Sequence, residues 1–352
     1  MNMETLDGVL FSRGLGNSKL ADEILAELKE YSGNDPKIIH INYGRFGDGE
    51  LDDRFPEPDY EHIKDKTLVF FECLKDESIM LRFLQLCWAA KHQYGARRVI
   101  AVLFFMHYRR QDRNEYIHEI WRNLWLTEQM KNSGVSHVIL VTPHSEKTRM
   151  NFEENGIEFK NIDLSDLFAN RLKSSLPEEG RKEKVRVYAP DKGAIPRAIK
   201  LAKHLEVGVL FSLKNRGFNN ETEIVEADKR KIEEIKEKFN DFPEIEYATP
   251  DRVNGMTIVM AEDEVDSGGT ANKQAIQLKK YGVLNMYLFF THAVCTDPWR
   301  RKLFSEDPFC RVLGSNTILR GEEKRTGGKI HDISAAPPIA SELFRILQSF
   351  SG

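Results

Sequence analysis

Short apolar runs alternate with amphipathic patterns along most of the chain, and this alternation limits the fold more than any other feature. Apolar residues at helical spacing fill the intervals between the runs, which indicates a helix after each strand. Such a rhythm is typical of βαβ units around mostly parallel sheets. We therefore predict an α/β protein. The predicted strands cover residues 37–42, 67–72, 98–105, 137–141, 185–189, 207–211, 257–261 and 285–290, and the clearest predicted helices cover 19–31, 79–94, 197–204 and 272–281.

Length and composition suit two folded domains. The chain has 352 residues, which is long for one hydrophobic core. Hydrophobic residues make up 41% and charged residues 30%, the balance of an ordinary globular protein. A polar stretch at 173–184 looks like the approach to a second domain. We predict an N-terminal domain over 1–170 and a C-terminal domain over 171–352, with the last residues packing back on the N-terminal domain.

Charge and cysteine usage bear on partners and location. A net charge of −4 provides no basic field for nucleic acid. No stretch approaches the length of apolar sequence that crosses a membrane, and the N-terminus lacks an export signal. The cysteines lack metal-type spacing, which indicates reduced thiols. We expect a cytoplasmic protein with neither nucleic acid nor membrane as partner. The four cysteines are Cys73, Cys87, Cys295 and Cys310.

Residues 262–270, here called the acid-glycine loop, carry the clearest chemical signal. They lie between an apolar run and a helical pattern, so we predict a strand-to-helix turn. Paired glycines let backbone N–H groups approach an anion, and the helix N-terminus favours negative charge. Carboxylates suit ribose hydroxyls or a Mg²⁺ carried by a sugar phosphate. The predicted ribose-phosphate-binding residues of the loop are Glu262, Asp263, Asp266, Ser267, Gly268, Gly269 and Thr270.

The acid-glycine loop resembles the ribose-phosphate loop of phosphoribosyltransferases and of ribose-phosphate pyrophosphokinases. That loop usually reads Asp-Asp-x-x-Asp-Thr-Gly-Gly-Thr. Here Glu262 stands in place of the first Asp, and Ser267 stands in place of the first Thr. Taken alone, the loop fits either family, and a polar turn of N-capping residues is the simplest alternative.

The first half of the chain favours the pyrophosphokinases. Residues 44–50 resemble their Arg-Phe-x-Asp-Gly-Glu segment, which receives the adenine of ATP. Phe46 offers a stacking face, and Asp48 or Glu50 can accept hydrogen bonds from an exocyclic amine. The resemblance implies that these three residues bind ATP.

Two further segments follow apolar runs and resemble the same ATP site. Residues 106–113 are similar to a Tyr-x-Arg-Gln-Asp-Arg segment, and their arginines suit a polyphosphate. Residues 141–147 are similar to an Asp-Leu-His-x-Glu-Gln segment that helps to hold Mg²⁺ on ATP. The resemblance implies that ATP binds Arg110, Gln111 and Asp112, and that His144 is a catalytic and metal-binding residue.

The second half continues the resemblance. Residues 188–194 are similar to the family's Ser-Pro-Asp-x-Gly-Gly segment, which implies that Asp191 binds metal or ribose. Residues 212–216 are similar to the Asp-Lys-Arg-Arg start of the catalytic loop. Lys214 and Arg216 would then be catalytic cations that stabilise charge on the transferred pyrophosphoryl group.

The ordered set of motifs implies two phosphoribosyltransferase-like domains with mostly parallel sheets, assembled as a homodimer or a higher homo-oligomer. It also implies a pyrophosphokinase with Mg²⁺ as cofactor and ATP as co-substrate. The β,γ-pyrophosphoryl group of ATP would pass to the anomeric hydroxyl of a 5-phosphorylated ribose. With ribose 5-phosphate as acceptor, the products are phosphoribosyl pyrophosphate and AMP.

Three alternatives stay open. The same loop would hold ADP-ribose, which also presents a 5-phosphorylated ribose with a free anomeric hydroxyl. A non-catalytic regulatory relative would bind nucleotide without turnover, although such a protein does not need Lys214 and Arg216. A phosphoribosyltransferase would leave residues 46–50 and 110–113 unexplained.

Overall fold

The structure is a computed structural model that describes residues 6–57, 59–112, 118–176, 180–213, 229–242, 244–319 and 328–350. The chain divides into two compact units. Unit 1 comprises Met1–Asp163, Asn316–Leu319 and Ser334–Gly352, and unit 2 comprises Leu164–Ser315 and Arg320–Ile333. The boundary expected between residues 170 and 171 falls inside a helix, Ser165–Lys173. The bounds of the two domains stay a prediction.

Unit 1 is built on a sheet with the strand order β2-β1-β3-β4-β5-β6. All neighbouring strands run parallel. The strand order reverses at β1, because β2 lies on one side of it and β3 on the other. The carboxyl ends of β1 and β3 therefore form a switch point, where open α/β sheets commonly bind ligands. The strands are β1 (Val9–Ser12), β2 (Lys37–Ile38), β3 (Thr67–Leu74), β4 (Arg98–Met106), β5 (Val135–Val141) and β6 (Glu158–Ile162).

Unit 2 repeats this arrangement with one more strand, in the order β13-β12-β11-β10-β7-β8-β9. Its pairings are parallel as well. The order reverses at β7, so the carboxyl ends of β7 and β10 form the switch point of unit 2. The strands are β7 (Val185–Ala189), β8 (Gly208–Phe211), β9 (Ile245–Tyr247), β10 (Thr257–Val265), β11 (Asn285–Ala293), β12 (Arg311–Ser315) and β13 (Ile330–Ile333).

Helices connect the strands, as parallel pairing requires. Central strands are buried along almost their whole length, including every residue of β3, because parallel sheets are covered on both faces. The α-helices within the described residues are α1 (Ser18–Ser32), α2 (Glu77–Trp88), α3 (Arg122–Asn132), α4 (Glu146–Glu154), α5 (Ser165–Lys173), α6 (Arg181–Lys184), α7 (Ile195–Leu205), α8 (Lys229–Lys238), α9 (Pro250–Val253), α10 (Gly269–Lys280), α11 (Trp299–Leu303) and α12 (Ala336–Ser349).

The predicted fold class, α/β with mostly parallel sheets, is confirmed. Several element bounds were wrong. The strand predicted at 37–42 pairs only over Lys37–Ile38, after which the chain enters a short antiparallel hairpin. The helix predicted at 79–94 ends at Trp88 and continues as a π-helical turn, Ala89–Gln93. The strand predicted at 257–261 runs on to Val265, so the first acids of the acid-glycine loop lie on a strand and not on the turn.

Candidate functional site

The acid-glycine loop begins on the last residues of β10. Side chains alternate along a strand, and the burial of this one follows the alternation. Glu262 and Glu264 are half-buried on one face, whereas Asp263 and Val265 are buried on the other. The acids are therefore held by a paired strand, and their carboxylates lie at the carboxyl end of the sheet.

The two glycines form the start of α10. Gly268 adopts the left-handed conformation, with φ of +71°, and α10 begins at Gly269. A Cβ added to Gly268 would lie 2.7 Å from the Cβ of Leu303, so both the backbone angle and the packing require glycine here. Its N-cap residue is Gly268, which has no side chain to cap the helix. The N–H groups of its first turn can therefore bind an anion.

One acid of the loop is fixed by an arginine that sequence analysis missed. Arg197 Nη1 lies 3.2 Å from Asp263 Oδ1, and the two side chains are 19% and 10% exposed. Arg197 lies in the first turn of α7, which follows β7, and β7 pairs directly with β10. The pair therefore links the two strand ends of the switch point. Arg197 closely follows the predicted site segment 188–194, and this position is the sequence signal that could have identified it.

Asp191 lies at the carboxyl end of β7, beside β10. Its Oδ1 accepts a hydrogen bond from the Ala194 N–H at 3.1 Å and caps a short 3-10 turn, Lys192–Ala194. The structure thus brings Asp191 and the acid-glycine loop to the same switch point of unit 2.

A buried hydroxyl pair ties the end of β8 to the same edge. Ser212 Oγ donates to the Pro190 carbonyl at 2.9 Å, so the Tyr188 hydroxyl is the donor in its 2.9 Å contact with Ser212 Oγ. Burial raises the pKa of Tyr188 to about 12, which keeps this donor protonated. Ser212 marks where the predicted catalytic segment leaves the sheet. Lys214 and Arg216 themselves lie outside the described residues.

The residues predicted to bind ATP lie in unit 1, in two groups. The first group follows β4 and β5, which are neighbouring strands. Ser145, next to His144, donates a hydrogen bond to the buried carboxylate of Asp112. Gln111 Oε1 accepts from Arg122 at 2.8 Å. The loops that carry Arg110, Gln111, Asp112 and His144 are therefore joined, and Arg110 and His144 are exposed.

The second group lies on the antiparallel hairpin, which is closed by bridges from Asn42 to Arg54 and from Arg45 to Leu51. Its tip exposes Phe46, with 50% of its surface accessible. The other two predicted ATP-binding residues, Asp48 and Glu50, are exposed on the same tip.

The first turn of α2 contacts both groups. Arg45 donates to Ser78 Oγ at 3.0 Å, and the neighbouring Glu77 lies 3.5 Å from His107, in the loop after β4. The hairpin and the β4 loop therefore flank the start of one helix.

Unit 1 also contains a buried carboxylate that sequence analysis did not single out. Glu72, at the end of β3, is 5% exposed and accepts N–H bonds from Leu15 at 3.1 Å, Gly16 at 2.7 Å and Cys73 at 2.9 Å. Burial raises its pKa although these donors oppose the shift. The sequence signal that could have identified Glu72 is its charge within an otherwise apolar strand. The switch point of unit 1 is thus filled by a side chain of the protein itself.

Oxygen donors dominate the edge of unit 2. Carboxylates such as Asp191 and Asp266 are the ligands that Mg²⁺ prefers, and Mg²⁺ in phosphoryl-transfer sites is usually shared with substrate phosphates. The donor set therefore fits a magnesium ion carried on phosphate. Within the described ranges, no three His, Cys, Asp or Glu side chains cluster closely enough to hold a metal between them.

Two further observations concern the cysteines and the helices. Cys73, Cys87 and Cys295 are buried, Cys310 is exposed, and all four are free thiols. In the part of the chain that the structure describes, no helix combines the length and the apolar character needed to cross a membrane.

Known proteins are similar to this chain over nearly its whole length. Ribose-phosphate pyrophosphokinase from Ralstonia nicotianae is 25% identical over 351 residues, covering 98% of this chain and 97% of that protein. The enzyme of the same name from Nitrosomonas europaea is 24% identical over 345 residues, covering 97% and 95%. Phosphoribosylpyrophosphate synthetase from Mycobacterium smegmatis superposes with a TM-score of 0.76 at 22% identity and covers 97% of this chain and 100% of that chain. No family model matches the sequence.

The fold consists of two parallel α/β sheets, and the acid-glycine loop lies at the switch point of the second. The chain is similar to ribose-phosphate pyrophosphokinases over nearly its whole length. The predicted resemblance to that family and the predicted enzyme class, a ribose-phosphate diphosphokinase type transferase, are thereby confirmed. The roles of the individual site residues stay predictions.

Proposed function

We propose that the protein transfers the β,γ-pyrophosphoryl group of MgATP to the anomeric hydroxyl of a 5-phosphorylated ribose, with ribose 5-phosphate as the simplest acceptor. The observation that carries the proposal is the glycine start of α10, preceded by carboxylates at the switch point of unit 2. The names of the curated relatives support the same reaction.

The acid-glycine loop is proposed to bind the acceptor through two kinds of contact. N–H groups of Gly269 and Thr270, with the hydroxyls of Ser267 and Thr270, bind the 5-phosphate. Carboxylates of Glu262 and Asp263 accept hydrogen bonds from ribose hydroxyls. The Arg197 ion pair holds Asp263 in one orientation, so the ribose meets a preorganised acceptor.

The donor nucleotide is proposed to bind in unit 1. Phe46 stacks on the adenine, Asp48 and Glu50 accept from its amine, and Arg110, Gln111 and Asp112 lie along the phosphates with His144. Magnesium, when bound, would neutralise phosphate charge. Asp191 in unit 2 and His144 in unit 1 are each proposed as a magnesium ligand.

The reaction breaks one phosphorus–oxygen bond and forms another. The anomeric oxygen attacks the β-phosphorus, the bond from that phosphorus to the α-phosphate oxygen breaks, and AMP leaves. The hydroxyl proton passes to water. Such transfers depend on positioning and on neutralisation of charge, which Lys214 and Arg216 are proposed to provide.

The test is to incubate the full chain with MgATP and ribose 5-phosphate and to measure AMP and phosphoribosyl pyrophosphate together. We expect equal amounts of both products. The Lys214→Ala variant should lower turnover more than it raises KM, whereas Lys231→Ala, on the exposed face of α8, should change neither. Absence of AMP with any ribose phosphate would refute the proposal and favour the non-catalytic relative.

Assembly and location remain parts of the proposal. We propose that the chain forms a homodimer or a larger homo-oligomer and acts in the cytoplasm, on small phosphorylated substrates and not on nucleic acid or membranes. Sedimentation of the purified full chain measures the first of these directly.

A further inference from the structure

One face of α2 holds the antiparallel hairpin of unit 1 at two points. Ser78 and Arg82 are four residues apart, so their side chains lie on the same face of the helix, about 6 Å apart along its axis. Ser78 Oγ accepts a hydrogen bond from Arg45, near the tip of the hairpin, at 3.0 Å. Arg82 contacts the base of the hairpin, so the two contacts fix both its base and its tip.

Arg82 joins both strands of the hairpin to α2. Its Nη1 group pairs with Asp53 Oδ1, and its Nη2 group donates to the Gly44 carbonyl at 3.1 Å. Gly44 and Asp53 lie on different strands of the hairpin, and the Gly44 N–H donates to the same Asp53 Oδ1 at 3.3 Å. The Arg82 side chain is 9% exposed and the Asp53 side chain 8%. The contact is therefore a buried ion pair.

The Arg82–Asp53 pair is a costly way to stabilise a fold. Burial removes both charges from water, and such a pair commonly contributes no more than apolar residues of similar volume. The second carboxylate oxygen of Asp53, Oδ2, is buried and has no hydrogen-bond partner among the described residues. What the pair supplies is geometry, because a planar guanidinium holds two acceptors in fixed directions.

The hairpin depends on such contacts for its position. A two-stranded hairpin alone is at best marginally stable in water. Every residue from Arg45 to Glu50 is exposed, so the tip buries no apolar side chain in the core. The tip carries Phe46, Asp48 and Glu50, which are proposed above to bind the adenine. Their position relative to the β4 loop therefore depends on how α2 holds the hairpin.

We propose that Arg82 and Asp53 are positioning residues for the donor nucleotide, and that their ion pair keeps the hairpin in the conformation that receives the adenine. The inference rests on the donor site proposed above and assigns to it two residues that do not touch the nucleotide. Without the pair, the hairpin occupies the binding conformation for only part of the time, and the affinity for the nucleotide falls by that fraction.

The test replaces both residues, because Arg82→Met alone would leave the Asp53 charge buried without its partner and would destabilise the fold. Arg82→Met combined with Asp53→Leu removes the pair and leaves no buried charge. We expect calorimetry on the full chain to show MgATP binding weakened about tenfold, and ribose 5-phosphate binding changed less than about twofold. Hydrogen exchange should become faster in residues 42–54 and stay unchanged in β3 and β4.

Arg54→Met is the matched control. Arg54 forms an exposed ion pair with Asp52 on the same hairpin, with 2.7 Å between Nε and Oδ1, and exposed pairs contribute little. The variant should change neither MgATP binding nor hydrogen exchange in the hairpin. Unchanged MgATP binding by the folded double variant would overturn the positioning role, as would equal weakening of MgATP and ribose 5-phosphate binding.

Failure of the proposed reaction is distinguishable, because neither measurement requires turnover. A chain that releases no AMP, but whose double variant loses affinity for MgATP, would refute the reaction and support the positioning role. Phe46→Ala tests the donor site itself and should weaken MgATP binding. If Phe46→Ala left MgATP binding unchanged, the hairpin would not receive the adenine, and the positioning role would be overturned with the donor site.

Discussion

The two sheets share a topology, but their switch points are in opposite states. In unit 1, the loop after β1 approaches the end of β3, and Glu72 accepts N–H bonds from that loop. In unit 2, the corresponding ends of β7 and β10 carry Asp191 and the acid-glycine loop, and the helix that follows has a glycine, Gly268, as its N-cap residue. A switch point is therefore a place where a ligand can bind, and the side chains decide whether it does.

The closed state also has a steric basis. A Cβ on Gly14 would lie 2.0 Å from the Phe71 carbonyl oxygen, and one on Gly16 would lie 2.4 Å from the Cys73 carbonyl oxygen. In unit 2, the atom nearest to such a Cβ on Gly268 belongs to the side chain of Leu303. At the first switch point the loop after β1 therefore lies against backbone as well as Glu72, whereas Gly268 at the second lies against a side chain.

The largest expected effect is on the closed switch point. Gly14→Ala combines a φ of +66° with a backbone collision, so we expect it to lower the free energy of unfolding by about 2–5 kcal/mol. Gly33→Ala is the control, because its φ is +73° but nothing lies within 4 Å; it should cost about 1–2 kcal/mol. Urea unfolding measures both free energies. Equal losses for the two variants would show that the close approach of Gly14 to the Phe71 carbonyl oxygen does not affect stability.

A smaller effect is expected from Glu72→Ala, which leaves the N–H groups of Leu15, Gly16 and Cys73 without this acceptor. We expect a loss of about 1–3 kcal/mol, with catalysis by the folded protein unchanged. The folded pKa of Glu72 is raised above its ordinary 4.5, so the folded state binds the proton more tightly than the unfolded state does. The stability that Glu72 contributes is therefore full below pH 4.5 and falls as pH rises through the folded pKa.

Unfolding free energies of wild type and Glu72→Ala at a series of pH values test that sign. Their difference should shrink as pH rises above 4.5. A difference that grows with pH would mean that the amide donors outweigh burial, and that Glu72 is held as a stabilised carboxylate.

The smallest change in stability is expected at the open switch point. Arg197→Met should cost about 1 kcal/mol of stability, because the Arg197–Asp263 pair is only partly buried, yet it should lower kcat/KM for the acceptor about tenfold. Arg252→Met, at an exposed pair with Glu246, is the control and should leave kcat/KM unchanged. If Arg197→Met kept full kcat/KM, the ion pair with Arg197 would not be needed to orient Asp263 for the acceptor.

The sequence made the open switch point easier to predict than the closed one. Glycines, hydroxyls and acids occur within nine consecutive residues of the acid-glycine loop, so their chemistry is visible without the fold. Glu72 and Gly16 are 56 residues apart and meet only because β1 and β3 are neighbours. Arg197 was missed for the same reason, since it contacts the loop from another segment. The length of β10 was also predicted wrongly. The prediction ended the strand with its apolar run, but the acids that follow continue the paired strand.

The most direct test of the central claim is hydrogen exchange of the full chain with and without ribose 5-phosphate, read in peptides that cover residues 12–18 and 266–272. We expect slower exchange in 266–272, where the amides at the start of α10 bind the phosphate. In 12–18 we expect unchanged exchange, because Glu72 already accepts hydrogen bonds from the Leu15 and Gly16 amides. Protection in 12–18, or none in 266–272, would contradict that claim.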